Sequence, residues 1–249
     1  SEERQSQVIK KELRQLAREL GDERRTRILE NEAEDISVEA LIDQEDVAIT
    51  VTRDGYIKRL PVDTYRPQGR GGRGIMALTK KEEDTVKDLF VTSTHHHLLC
   101  FTNQGNVYRI KAYQVPMAQR QARGTPIQNI VPLDERERVT EIISVLGFDL
   151  GGYLFMVTRG GVVKKTELAE FDTPLRNKGI RAINLDEGDE LAWVLWTDGS
   201  RDIVLVTSGG KANRFDEEEV RATGRAARGV MTMNLDKDER LVAALSVEK

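Results

Sequence analysis

The sequence predicts an all-β disc of propeller type, built from four-stranded blades of about 50 residues per repeat and preceded by an N-terminal α-helix. Two markers repeated in register carry this expectation, together with the strand pattern around them. An apolar-Thr-x-x-Gly motif occurs as Val51-Thr52-Arg53-Asp54-Gly55, Phe101-Thr102-Asn103-Gln104-Gly105, Val157-Thr158-Arg159-Gly160-Gly161 and Val206-Thr207-Ser208-Gly209-Gly210. A basic residue followed by glycine recurs at Arg73-Gly74, Arg123-Gly124, Lys178-Gly179 and Arg228-Gly229, with offsets of 19, 19, 18 and 19 residues between the paired glycines. β-forming runs such as Val47-Ala48-Ile49-Thr50-Val51 lead into the first glycine and segments such as Tyr56-Ile57-Lys58-Arg59-Leu60 leave it, which describes a hairpin. Ile180 to Leu185 and Glu190 to Trp196 then read as the third and fourth strands of the same unit.

The chain ahead of the repeats has a different period. Ile9, Leu13, Leu16 and Leu20 recur in steps of four, three and four on a charged background, the seam of an amphipathic helix. Gly21 suits a left-handed cap and Asp22 the start of another short turn, with the acidic stretch Glu30 to Asp35 beyond. The boundary is placed near Ser37, giving a helical segment and linker over 1–36 and a repeat domain over 37–249 with at least four units. A chain that opens at Ser1 inside a helical pattern reads as a piece of a longer protein.

With 39% hydrophobic and 32% charged residues, the 249-residue chain has a globular composition. No apolar run approaches the roughly 20 residues needed to span a bilayer, and Ser-Glu-Glu-Arg is no signal sequence, so a cytoplasmic location without membrane contact is expected. The single cysteine, Cys100, sits in an apolar run and is expected to be a buried small hydrophobe.

The formal net charge of −4 excludes a uniformly basic nucleic-acid binder, so any such role depends on how charge is sorted. It is sorted by position in the repeat. Four residues after each turn glycine stands Arg59, Arg109, Lys165 or Arg214, with Lys58 and Lys164 beside two of them. Arg70, Arg120, Arg176 and Arg225 precede the marker glycines by three or four residues, and Arg123, Lys178 and Arg228 are the marker cations themselves. Acidic residues gather beyond the marker, at Asp134-Glu135, Asp186-Glu187, Asp189-Glu190, Asp236 and Asp238-Glu239. Equivalent blade positions share one edge of a ring, so the register predicts a basic rim able to follow a phosphate backbone. The competing reading is of solvated strand edges guarded by charge.

The segment Gln68-Gly69-Arg70-Gly71-Gly72-Arg73-Gly74 adds a phosphate-seeking loop: glycine lets the backbone approach, and arginine offers a planar fork to phosphate oxygens. No basic recognition helix is present, and Tyr108 is the one aromatic placed on the rim for base stacking, Tyr56 and Phe215 being expected between blades. Backbone binding of bent duplex DNA fits better than base reading. A 40–90° bend costs of order 1–6 kcal/mol, which repeated phosphate contacts must offset.

On this heptapeptide, the repeat and the preceding helix, the chain resembles the C-terminal domain of the A chain of DNA gyrase, a type IIA topoisomerase. Gln68, Arg70, Gly71, Gly72, Arg73 and Gly74 match the family's Gln-(Arg/Lys)-Arg-Gly-Gly-(Arg/Lys)-Gly box, and Gly69 stands in place of one of its three cations. Gly21-Asp22-Glu23-Arg24-Arg25-Thr26 is similar to the segment after the long helix of the cleavage domain. The resemblance implies a β-pinwheel, usually of six blades against four units counted here, that wraps duplex DNA with positive handedness and presents a segment for ATP-driven negative supercoiling. It also implies gyrase B and a second copy of gyrase A as partners, and a bacterial nucleoid-associated or organellar setting. The isolated domain is expected to be monomeric and to need no cofactor, ATP and magnesium being used elsewhere in the holoenzyme. No Arg-Tyr pair or GxxxxGK[ST] loop occurs, so neither DNA cleavage nor ATP binding is expected of the chain itself.

Two alternatives stay open: the equivalent domain of topoisomerase IV, binding DNA without strong wrapping, and a propeller serving as a protein-interaction platform. His95-His96-His97 reads as a strand entry whose side chains diverge, with no metal site expected, and one or both of Trp193 and Trp196 read as packing between blades.

Overall fold

The computed structural model describes residues 2–21, 38–62, 85–174 and 178–249, and contains two compact units, Ser1–Leu41 and Ile42–Lys249. In the first, helix α1 (Glu2–Glu19) leaves Ile9, Leu13, Leu16 and Leu20 exposed along the expected seam, and a 3₁₀ turn follows at Val38–Leu41. Gly21 does not take the left-handed conformation expected of it. Its lack of a side chain serves a close approach instead, because a Cβ there would run into the carbonyl oxygen of Ala17.

The second unit is all-β, as the sequence indicates. Blade 1 orders its strands β3 (Val86–Ser93), β1 (Asp46–Thr52), β2 (Tyr56–Pro61) and β6 (Thr125–Pro126). Blade 2 has β10 (Ile180–Arg181), β5 (Asn106–Lys111), β4 (His97–Thr102) and β7 (Val139–Val145). Blade 3 has β11 (Leu191–Thr197), β8 (Tyr153–Thr158), β9 (Val162–Glu167) and β14 (Val230–Met231). Blade 4 contains β13 (Ala212–Asp216), β12 (Asp202–Thr207) and β15 (Leu241–Val247) among the described residues. All pairings within these sheets are antiparallel.

One assignment from sequence needs correction. The short strand after each described marker, Gly124, Gly179 and Gly229, does not join the sheet of its own unit. It crosses to the preceding blade, in one repeated register: Thr125 opposite Ile57, Ile180 opposite Val107, Val230 opposite Val163. A main-chain bond follows each crossing, from Ile127, Ala182 or Thr232 N–H to the carbonyl of the turn glycine Gly55, Gly105 or Gly161. Sheets are thus completed by exchange.

The Thr-x-x-Gly motif is a hairpin turn closed twice. Gly55, Gly105, Gly161 and Gly210 take φ between 77° and 87°, a region costly for any residue with a Cβ. Each donates its N–H to the threonine carbonyl, while the threonine hydroxyl accepts from the N–H of Tyr56, Asn106, Val162 or Lys211. The hydroxyl also explains why Thr52, Thr102, Thr158 and Thr207 tolerate burial.

The apolar core lies between blades as three clusters. Val47, Ile49 and Val51 meet Leu98, Cys100 and Ile110; Leu99 and Phe101 meet Leu154, Met156 and Phe171; Phe155 and Val157 meet Ile203, Leu205 and Leu241. Burial pushes the Cys100 thiol up to about 12, so it behaves as a hydrophobe. Trp193 packs on the cluster between blades 3 and 4, whereas Trp196 points outward and is 45% exposed.

Candidate nucleic-acid interface

Each crossing arm leaves its own hairpin through a 3₁₀ turn, at Ala112–Gln114, Leu168–Phe171 or Glu217–Glu219, and ends at a marker glycine. The glycine permits the crossing. Gly124 and Gly229 take φ of 98° and 99°, and a Cβ on Gly124 would lie 2.6 Å from the Ile57 carbonyl oxygen, with one on Gly229 still nearer that of Val163. At Gly179 the obstacle is a ring, since a Cβ would lie 2.7 Å from Tyr108 Cζ. Half of the basic-Gly marker is therefore explained by strand exchange alone.

The cations four residues after the turn glycine hold these arms from beneath. Arg59 Nε donates to Val115 O at 2.9 Å, Lys165 Nζ donates to Glu217 O at 2.8 Å, and Arg109 donates to Thr173 O and, at 3.0 Å, to Asp172 Oδ1. The Arg109 guanidinium also lies 4.3 Å over the Phe148 ring. Only 14% and 15% of the Arg59 and Arg109 side chains is exposed, and Lys165 is buried. In blade 4, where no arm crosses among the described residues, Arg214 has an exposed side chain and donates to Asp202 Oδ2 at 2.7 Å.

Lys58 and Lys164 lie deeper still. Lys58 Nζ donates to the carbonyls of Arg120 at 2.5 Å and Ala122 at 2.9 Å, and Lys164 Nζ to those of Ala182 and Arg225. Burial lowers the pKa of both ammonium groups, and burial reinforced by Arg225 brings Lys164 to about 8 against a weaker upward pull from Glu170. The expectation that Lys58, Arg59, Arg109, Lys164 and Lys165 form a rim is corrected: they are inside, paired with carbonyl oxygens. Their register reports arm docking.

Other cations do reach the surface. Arg123 reaches solvent, 2.7 Å from Asp54 Oδ2 and stacked 3.7 Å over Tyr56, while Arg228 pairs with Asp186 and Lys178 is exposed. Arg120 and Arg225 are half-buried, each four residues before its marker glycine, and the Nε of each is shielded from solvent with no acceptor. Neither has a carboxylate within ion-pair distance among the described residues. Arg181 is a surface cation that sequence reasoning missed. It is exposed on β10 with Nη1 on Gln104 O, and the corresponding residues Pro126 and Met231 gave no repeat signal. Arg176 and the segment Gln68, Gly69, Arg70, Gly71, Gly72, Arg73 and Gly74 lie outside the described residues.

Tyr108 is also corrected. It is buried, donating its hydroxyl to Glu137 Oε2 at 2.8 Å, and is not available to stack on a base. Glu137 belongs to an Asp-x-x-acid turn, shared with Asp186-x-x-Asp189 and Asp236-x-x-Glu239, that backs the hairpin turns at Gly105, Gly161 and Gly210. Burial would raise the Glu137 carboxyl, but hydrogen bonds from Thr102, the Asp134 N–H, Asn106 and Tyr108 outweigh it and hold the pKa below the usual range. Glu239 is held at about 2 by the Thr207 hydroxyl, the Asp236 N–H and Lys211. In the charge pattern these acids look like solvated turns; two of them instead satisfy the polar groups beneath the hairpins.

A cavity of about 720 Å³ is lined by residues of all four blades, among them Asp54, Glu141, Trp193 and Val242. Its charges are mixed, with Arg138 paired to Glu190 at 2.6 Å and burial raising the Glu141 carboxyl to about 7. That is a poor phosphate surface. His95, His96 and His97 meet different partners, the Ile42 carbonyl, Thr92 and Arg109, and no group of three metal-ligating side chains is assembled among the described residues. No helix there is long and apolar enough to cross a membrane.

The family model for the DNA gyrase C-terminal domain, beta-propeller, matches residues 46–93, 96–145, 152–195 and 201–248. The chain is 45% identical over 245 residues to the DNA gyrase A protein of Salmonella typhimurium, covering 98% of this chain and 28% of that protein. It is 47% identical over 223 residues to the DNA gyrase A protein of Clostridium acetobutylicum, covering 90% of this chain and 27% of that protein. The chain thus spans less than a third of these relatives. Among solved structures, the C-terminal domain of DNA topoisomerase IV superposes with a TM-score of 0.72 at 35% identity, over 84% of this chain and 63% of that one. A DNA gyrase A C-terminal domain superposes with a TM-score of 0.62 at 25% identity, over 82% and 65%.

Proposed function

Because the chain belongs to the DNA gyrase C-terminal domain family, we propose that it binds duplex DNA by its phosphates and bends it along the edge that carries the crossing arms. The observation carrying this reading is the matched pair Arg120 and Arg225, guanidinium groups with no carboxylate partner among the described residues, at equivalent places in two arms. Arg123, Arg228 and Lys178 extend the same edge. Exposed ion pairs such as Arg123 with Asp54 are worth about 0–1 kcal/mol, so a phosphate can replace the carboxylate at little cost.

In this reading the chain cuts no DNA and uses no nucleotide. Within a whole type IIA topoisomerase, alongside gyrase B and a second copy of gyrase A, it holds a wrapped segment near the cleavage gate and so makes negative supercoiling possible. The box Gln68 to Gly74 is the fastening point of the wrap. A second reading, DNA binding without strong wrapping as a topoisomerase IV-type domain, is favoured by the fit to that structure and by Gly69 in the box.

Ligation of nicked circles with the protein bound separates the two. A shift toward positive linking number supports wrapping, and retention of DNA without a shift supports the second reading. Binding that does not weaken with salt would overturn both, since phosphate contacts release counterions.

A further inference from the structure

We propose that Lys58 and Lys164, from inside blades 1 and 3, are positioning residues that set Arg120 and Arg225 as two matched phosphate anchors. The inference rests on the phosphate-binding reading above and assigns it an internal device. Each lysine binds the main-chain carbonyl of the arginine itself, Lys58 that of Arg120 and Lys164 that of Arg225, so the ammonium fixes the peptide from which the guanidinium springs. Each takes a second carbonyl as well: Lys58 that of Ala122, two residues further along the same arm, and Lys164 that of Ala182, outside the arm of Arg225. The intervening crossing is built differently. There the equivalent residue is Tyr108, its hydroxyl turned to Glu137, and the marker glycine rests on its ring. Lysine-set anchors therefore fall at alternate crossings.

Charge points to the ligand. Arg225 is close enough to Lys164 to disfavour the ammonium charge, and Glu170 is the one carboxylate with an opposing effect on Lys164 among the described residues. A buried cation beside a half-buried guanidinium with no carboxylate partner among the described residues is an arrangement that an anion completes through the guanidinium nitrogens that reach solvent. A phosphodiester supplies a single permanent charge and several acceptor oxygens, which suits the arginine fork.

The test uses this chain and a fluorescent duplex titrated with salt. Arg120→Ala and Arg225→Ala should each lower the slope of log affinity against log salt by about 0.9, one phosphate each. Lys58→Met and Lys164→Met, which keep the aliphatic stem, should lower it equally, and Lys164→Met should add nothing in the Arg225→Ala background. Amide exchange in the lysine variants should quicken in the arm alone. Native slope and affinity in both lysine variants would overturn the positioning role while leaving DNA binding intact; a native chain without salt dependence would overturn the DNA reading itself. Should the lysine variants not fold, calorimetry of the native chain near pH 8 in buffers of different ionisation enthalpy reads the same coupling. A phosphate held by Arg225 favours the Lys164 ammonium against the influence of Arg225, in the same sense as Glu170, so binding should take up protons. Equal uptake by Arg225→Ala would overturn the proposal.

Discussion

The carbonyl oxygen of Arg120 lies 2.5 Å from the ammonium of Lys58, a residue 62 positions earlier and in a different repeat. A basic residue of one unit thus anchors the main chain of another basic residue, the first fully buried and the second half-buried.

Arg59→Met and Arg109→Met should cost stability and spare the interface. Each removes bonds from a mostly buried guanidinium to an arm carbonyl, a loss of about 2 kcal/mol or more. Urea denaturation should show it, while the salt slope for duplex DNA stays native.

Arg70→Ala with Arg73→Ala is expected to abolish the linking-number shift in nicked-circle ligation while leaving much of the affinity. An unchanged topoisomer distribution would show that the box does not steer the wrap.

Marker glycines should tolerate alanine less well than turn glycines facing open space. Gly210 has φ of 81° and nothing within 4 Å of where a methyl would sit, so Gly210→Ala costs backbone strain of about 1 kcal/mol. Gly229→Ala adds a collision with the Val163 carbonyl and should cost roughly 3 kcal/mol or more. Equal denaturation midpoints for the two variants would contradict the close crossing.

Acid should weaken the hairpin turns. The folded-state pKa of Glu137 and Glu239 is depressed, so their contribution is complete above the ordinary value near 4.5 and is lost as pH falls below it, toward about 2 for Glu239. Melting temperature should therefore drop over that window in the native chain and drop less in Glu137→Gln and Glu239→Gln. Glu137→Ala, which strands Thr102, Asn106 and Tyr108, should cost roughly 3 kcal/mol at neutral pH.

Cys100 should resist thiol reagents in the folded protein at neutral pH and react fully once denatured, because its thiol is buried and pushed up to about 12. Rapid labelling of the native state would contradict its place in the core.

The hairpins are legible because Thr-x-x-Gly demands a particular turn wherever it occurs: glycine supplies the positive φ and threonine the closing hydroxyl. Strand exchange is not legible. In a tandem repeat, pairing a short strand within its unit or with the unit before it gives the same spacing, and hydrophobic alternation does not choose. The rim is legible only in part for a related reason. Register shows that Arg59, Arg109 and Lys165 share a task, but a carbonyl and a phosphate are both oxygen acceptors for the same cation. Arg120 and Arg225 stand out because they recur, whereas Arg181 recurs nowhere and leaves no trace. Glu137 and Glu239 look like surface acids because their hydrogen-bond partners lie about 30 residues upstream.

The exchange of short strands means that the unit of inheritance and the unit of folding are out of phase. A gene segment cut at the ends of one repeat would encode a hairpin whose last strand belongs elsewhere, and would strip the preceding sheet of its edge. Growth or shrinkage of such a disc by whole repeats is harmless only when the strand left over at one break can serve the sheet left short at the other. The identical register of Thr125, Ile180 and Val230 on their hosts supplies that interchangeability.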